Sequence, residues 1–167
     1  MYFIYLFISP FLWGAASLLT LLFPKMRERT LAQRAIYRKG IEKLKELSHK
    51  PILLFHAAST GEFEQLKPLL PLIDKDKYTV IVTFFSATVY RKEKNSTLFD
   101  MCFYHPLDSL ISAVHFFSRI KPTAYIVNRH DLWPSHLWVA KLFGIKTIFI
   151  NANVHESSKR NLFSKRF

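Results

Sequence analysis

The stretch Ile52-Leu53-Leu54-Phe55-His56-Ala57-Ala58-Ser59-Thr60-Gly61-Glu62 decides the fold. Its first six residues form a nearly unbroken apolar run, the signature of a strand buried on both faces. Ser59-Thr60-Gly61-Glu62 then reads as a helix start, with Ser59 as N-cap and Glu62 reaching back from the third helical position. A doubly buried strand running straight into a helix is the opening of a βαβ unit. The same pattern recurs downstream. Strands are expected at Thr79–Phe84, Met101–Tyr104, Thr123–Asn128 and Lys146–Asn151, with helices at about 62–73, 87–95, 108–120 and 134–143. Asp108 is expected to cap the third of these helices, and Gly144 to end the fourth as a C′ glycine. Alternating strands and helices at this spacing predict an α/β fold, a Rossmann-like doubly wound parallel sheet. In the strand order 3-2-1-4-5 the first and fourth strands are neighbours at the switch point, where sites form beyond the carboxyl ends of the strands.

Upstream of this unit the composition changes twice. Residues 1–24 carry no charge, and as a helix rising about 1.5 Å per residue they are long enough to reach across a hydrocarbon core of about 30 Å. The expectation is a membrane anchor. A segment that dips into the membrane without crossing fits the same run, and a buried core helix is the plainer alternative. A signal peptide fits less well, because no Lys or Arg precedes the apolar stretch. Residues 25–50 hold nine Lys and Arg against three Glu, a net +6 and half of the +12 carried by all 167 residues. Basic residues directly after an apolar segment mark the cytoplasmic side, which puts residues 25–167 in the cytoplasm, with 51–167 as the α/β domain. Leu31, Ala35, Ile36, Ile41, Leu44 and Leu47 recur at roughly helical spacing between the charges. This predicts a basic amphipathic helix lying on anionic headgroups, with an ordinary solvated helix as the alternative. Pro51 ends it.

Other classes are excluded by composition. Half the residues are apolar, so the chain can build a core. The single cysteine, Cys102, cannot close an internal disulfide. No zinc spacing, helix-turn-helix or aromatic–basic RNA pattern accompanies the positive charge, so no nucleic-acid partner is expected. The seven histidines show no metal-ligand spacing, and there is no Gly-rich phosphate loop. No metal and no cofactor are expected.

Two loops at strand ends carry the candidate chemistry. In the first, Ser59, Thr60, Gly61 and Glu62 have a complete structural account as a capping box. Alternatively Glu62, at a helix N-terminus in the crevice, takes a proton from a hydroxyl nucleophile. The open turn at Gly61 would then admit an anionic group. The second loop is Asn128-Arg129-His130-Asp131-Leu132-Trp133-Pro134-Ser135. Pro134 suits the first helical position, Trp133 packs under the turn, and Asp131 is either a helix cap or an acidic site residue. Arg129 and Asp131 would face the same crevice as Glu62. His56 is expected to be a hydrogen-bonded structural residue.

Four motifs together resemble the N-terminal half of the 3-deoxy-D-manno-octulosonic acid (Kdo) transferases. They are His56-Ala57-Ala58-Ser59-Thr60-Gly61-Glu62, Pro106-Leu107-Asp108, Asp131-Leu132-Trp133-Pro134 and Ile150-Asn151-Ala152-Asn153. The resemblance implies a glycosyltransferase of the two-Rossmann-domain type, in which Kdo passes from CMP-Kdo to a lipid A precursor during lipopolysaccharide synthesis. It implies that the acceptor lipid binds this N-terminal half and CMP-Kdo mainly a separate C-terminal domain. It also implies that Glu62 is the general base. Three departures stand out: Arg129 and Asp131 occupy the places of a family Glu-x-Glu, Asn153 that of an Arg, and the sequence holds no donor-binding half. The 167 residues alone are therefore expected not to catalyse transfer. The rival reading is a non-catalytic, membrane-associated lipid-binding module.

Overall fold

A computed structural model describes residues 24–129 except 48, residues 132–152, and positions 5, 8, 11, 14, 15 and 18. Its elements are α1 (Pro24–Leu47), β1 (Ile52–Ala57), α2 (Thr60–Leu66), a 3-10 turn (Leu70–Leu72), β2 (Thr79–Phe84), α3 (Ala87–Glu93), β3 (Met101–Tyr104), α4 (Leu110–Ile120), β4 (Ala124–Asn128), α5 (Pro134–Leu142) and β5 (Lys146–Ile150). The five strands form one parallel sheet in the order β3-β2-β1-β4-β5. This is the doubly wound arrangement that the alternating pattern predicts.

Alternation along the strands divides the core into two layers. Ile52 and Leu54 of β1 join Ile81, Met101, Phe103, Tyr125 and Val127 on one face, under α1, α4 and α5. Phe55 and Ala57 join Val80, Val82, Phe84 and Ile126 on the other, under α2 and α3. β2 is buried at all six positions, whereas the edge strand β5 is half-exposed along its length.

Prolines and glycine set the helix ends. The helix expected over 62–73 stops at Leu66, because Pro68 lacks an N–H and its ring would meet the carbonyl of Glu64. α5 ends at Gly144 as anticipated. Gly144 has φ +68°, its N–H donates to Lys141 O at 3.1 Å, and Ile145 N–H donates to Ala140 O at 2.8 Å. That paired bonding is a Schellman motif. The cap of α4 differs from expectation: Ser109, not Asp108, is its N-cap, and the Ser109 hydroxyl accepts Ser112 N–H at 3.2 Å.

The basic helix forms, but its apolar stripe is used internally. Ile36, Tyr37 and Ile41 pack against the first core layer, and Leu44 is buried within it. Tyr37 sets its ring edge-on to Phe103 and donates its hydroxyl to His115 O on α4 at 3.3 Å. Burial pushes the Tyr37 hydroxyl up to about 12, against a smaller opposing pull from Arg119, so it stays a donor at neutral pH. Ala35, counted by spacing into the apolar stripe, is exposed. The described part of this stripe therefore faces protein rather than headgroups. Arg34, Arg38, Lys39, Lys43 and Lys45 remain exposed.

The anchor expected over residues 1–24 lies mostly outside the described residues. Its seven described positions, Pro24 among them, are helical, and among the described residues no helix is long and apolar enough to cross a membrane.

Gly40 shows how closely α1 approaches the sheet. A Cβ there would lie 2.7 Å from Phe103 Cζ and 3.3 Å from Cδ1, and Phe103 is buried. Helix propensity alone favours Gly40→Ala by about 1 kcal/mol. The overlap with a packed ring costs about 1–3 kcal/mol and outweighs it. Gly40→Ala should thus lower the urea midpoint, and an unchanged or raised midpoint would refute this packing.

Candidate functional site

β1 and β4 are adjacent, and their carboxyl ends bring the two candidate loops together. Ser59 is the N-cap of α2; its hydroxyl accepts Glu62 N–H at 3.4 Å. The Glu62 carboxylate reaches back through Oε2 to Ala58 N–H at 2.6 Å. The reciprocal cap thus forms one residue upstream of the expected Ser59 amide. Glu62 is half-buried, its side chain held at the rim of the crevice by one short bond.

Asn128, the last residue of β4, ties the second loop to the first. Its Nδ2 donates to the backbone carbonyl of Glu62 at 2.6 Å, and its Oδ1 accepts from Asn151 Nδ2, at the end of β5, at 2.9 Å. This chain of amides crosses three elements. Arg129 follows with φ +60°, exposed, its N–H donating to Ile150 O at 2.8 Å. Asn151 is likewise left-handed at φ +53°. Two non-glycine residues in that region flank one crevice, a conformation that costs free energy unless the surroundings impose it. Asp131 and Asn153 lie outside the described residues.

Beneath the loops is a buried polar layer that sequence reasoning missed. The rings of His56 and His105 are 3.9 Å apart and those of His105 and His136 are 4.4 Å apart, all three side chains fully buried. Thr83 donates its hydroxyl to Phe55 O at 3.1 Å, so it accepts from His56 Nδ1 at 2.9 Å. His105 Nδ1 donates to Pro106 O at 2.9 Å, leaving Nε2 to accept the Tyr125 hydroxyl at 3.0 Å. His136 Nδ1 donates to Asp108 Oδ1 at 3.3 Å. These nitrogens turn to separate partners, and among the described residues no group of three ligating side chains converges. His56 is structural, as expected.

Asp108 is the keystone of that layer. Its Oδ1 accepts Ser135 N–H at 2.9 Å as well as His136, and its Oδ2 accepts the Tyr5 hydroxyl of the N-terminal segment. The N-cap position of α5 is Trp133, which offers no side-chain acceptor. A carboxylate from the β3–α4 loop therefore does the capping. The missed signal was a Trp-Pro helix start with no Ser, Thr, Asp or Asn at the N-cap.

Cys102 is no candidate nucleophile, since burial pushes its thiol up to about 12 despite the opposing effects of Tyr90 and Lys94.

Asp108→Asn keeps the shape of the side chain and removes its charge. It should lower the unfolding free energy by roughly 1.5–3 kcal/mol, the range for a hydrogen bond to a charged group. Urea denaturation measures this, and an unchanged midpoint would remove Asp108 as the fastener of the β4–α5 loop.

A family described as 3-deoxy-D-manno-octulosonic-acid transferase (kdotransferase) matches residues 27–167. Among similar proteins, the 3-deoxy-D-manno-octulosonic acid transferase of Aquifex aeolicus is 34% identical over 120 residues, covering 71% of this chain and 33% of the relative. That of Chlamydia muridarum is 33% identical over 134 residues, covering 77% and 31%. That of Haemophilus influenzae is 28% identical over 109 residues, covering 64% and 26%. The chain thus spans a third or less of the length of these relatives. With the parallel sheet and the Ser59–Glu62 loop at its switch point, these matches show that the chain belongs to the 3-deoxy-D-manno-octulosonic-acid transferase family, as its N-terminal region.

Proposed function

We propose that this chain is the acceptor-side domain of a Kdo transfer reaction, with Glu62 as general base. The observation that carries the reading is the position of Glu62: half-buried at the carboxyl end of the central strand, with the Asn128–Arg129 loop alongside. In the reaction, the Glu62 carboxylate takes the proton of an acceptor sugar hydroxyl. The freed oxygen forms a bond to the anomeric carbon of CMP-Kdo. The bond from that carbon to the phosphate oxygen breaks, and CMP leaves with the electron pair. Ser59, Thr60 and Gly61 frame the acceptor, and Arg129 supplies positive charge for its anionic groups. CMP-Kdo is held by a C-terminal domain.

Gly61 supports an open acceptor side. Among the described residues a Cβ at this position would meet nothing within 4 Å, and its φ is not positive. The open position leaves room beside the helix start for the acceptor.

The acceptor is a lipid A precursor, which places the domain at the cytoplasmic face of the inner membrane. The exposed basic side chains of α1, together with the uncharged residues 1–24, are the means of contact. The rival is a non-catalytic lipid-binding module, and Arg129 in place of a family Glu is the feature that favours it.

These 167 residues alone should give no Kdo transfer, because reaction needs donor and acceptor held together in attack geometry. Mixing the chain with the C-terminal domain of a relative should restore transfer. In that mixture Glu62→Gln should lower the rate about 10²–10⁴-fold, the usual worth of a general base. The amide still accepts the Ala58 N–H bond, so the fold should hold. Transfer at the unmutated rate by Glu62→Gln would discard the base assignment. Separately, the full chain should sediment with vesicles containing phosphatidylglycerol more than with neutral phosphatidylcholine vesicles. The difference should shrink with added salt, because exposed charges are screened over about 8 Å at physiological ionic strength. Equal binding to both vesicle types would refute the electrostatic contact.

A further inference from the structure

We propose that Phe85 and Trp133 form an aromatic wall of the acceptor site and stack against the apolar face of a pyranose ring, beside Glu62. The inference rests on the acceptor-side reading above and specifies what that side recognises. Phe85 is the first residue beyond β2. Val80, Val82 and Phe84 point into the layer under α2 and α3, so alternation turns Phe85 to the opposite face. There its ring lies 5.1 Å from that of Trp133, at 37°. Both residues are only partly buried.

The wall is joined to the carboxylate through a single residue. Ser86 N–H, next to Phe85, donates to Ala58 O at 3.0 Å, and Ala58 N–H holds Glu62 Oε2. Phe85, through its neighbour Ser86, and the proposed base are therefore both fixed to the backbone of Ala58. Behind the wall, Trp133 rests on His105 at 5.3 Å and His56 at 6.4 Å, within the buried polar layer. That backing immobilises the rings before any ligand arrives, which lowers the entropic cost of binding.

A partly buried aromatic pair on the same rim as a carboxylate matches the surface of a sugar. A pyranose carries hydroxyls on its rim and C–H groups on its face. The C–H groups meet the negative face of an aromatic ring, and a rim hydroxyl meets the carboxylate. An acyl chain would use the rings but would leave Glu62 facing hydrocarbon, an unfavourable place for a charge.

The test uses the full chain and two soluble probes: a β-1,6-linked glucosamine disaccharide without acyl chains, and lauric acid. Binding is read by titration calorimetry, and the protons nearest the protein by saturation-transfer NMR. The disaccharide should bind saturably, with saturation strongest on the C–H groups of one ring face. Phe85→Ala should weaken it about five- to tenfold, the worth of one aromatic contact. Phe85→Tyr, which keeps the ring, should stay within about twofold. Phe85→Leu fills the space without a π-face and should weaken binding as Phe85→Ala does, which keeps the test valid if the alanine variant folds poorly. Saturable disaccharide binding that neither Phe85→Ala nor Phe85→Leu alters would overturn the wall and leave the acceptor-side reading standing. Loss of lauric acid binding in these variants, with the disaccharide unaffected, would overturn the sugar assignment in favour of an acyl contact. No saturable disaccharide binding by the unmutated chain would overturn both readings.

Discussion

The structure depends on β1 being paired along both edges and buried on both faces. β2 and β4 take its edges in parallel register, His56 lying opposite both Thr83 and Val127. Parallel neighbours cannot be joined by tight turns, so each connection crosses a face of the sheet and brings a helix with it. The strand order reverses direction at β1, with β2 and β3 on one side and β4 and β5 on the other. The loops leaving β1 and β4 diverge there and open a crevice at their carboxyl ends. Placement of Glu62 beside Asn128 is a consequence of topology before any side chain is considered.

Side-chain chemistry then makes the crevice rigid. Buried polar groups are costly unless bonded, and here the bonding crosses between elements. Asn128 joins β4 to α2 and β5, Thr83 joins β2 to β1, and Asp108 joins the β3–α4 loop to α5 and to Tyr5. Each bond ties one element of the fold to another. The tilted, close-packed imidazoles of His56, His105 and His136 fill the space between them, with His56 bonded to Thr83 and His136 to Asp108. A purely apolar layer would support the loops without determining their positions as narrowly.

The sheet was legible because its signal is local. Runs such as Thr79–Phe84 are apolar or β-branched over their whole length, and their alternation with helices points to a doubly wound sheet. Helix ends were legible where Pro or Gly dictates backbone geometry, as at Gly144. What local patterns cannot carry is a partner distant in sequence. Asp108 looked like a cap for the helix it precedes, yet its carboxylate serves a helix start 27 residues on, at Ser135. Phe85 carries no local sign of its place: it follows Phe84 without a break in apolar character, and only the end of the strand puts it on the rim. Asn128 gave a weak sign, a polar residue closing an otherwise apolar strand.

The basic helix α1 shows how one pattern serves two ends. Amphipathic periodicity with a cationic face is the sequence signature of a helix lying on a membrane, and equally of a helix packed on a sheet. Ile36, Tyr37, Ile41 and Leu44 settle the question for the described part of the helix, since their contacts are with the protein core. The same packing turns the opposite face outward, so Arg34, Arg38, Lys39, Lys43 and Lys45 are displayed by a helix that cannot roll over to bury them. Gly40 strengthens the constraint, because its close approach to Phe103 leaves no slack for rotation about the helix axis. It is this fixed cationic face on which the proposed contact with anionic headgroups rests. Its orientation relative to the crevice is set by the same α1 contacts, Tyr37 with Phe103 of β3 and with His115 of α4, that cover the sheet.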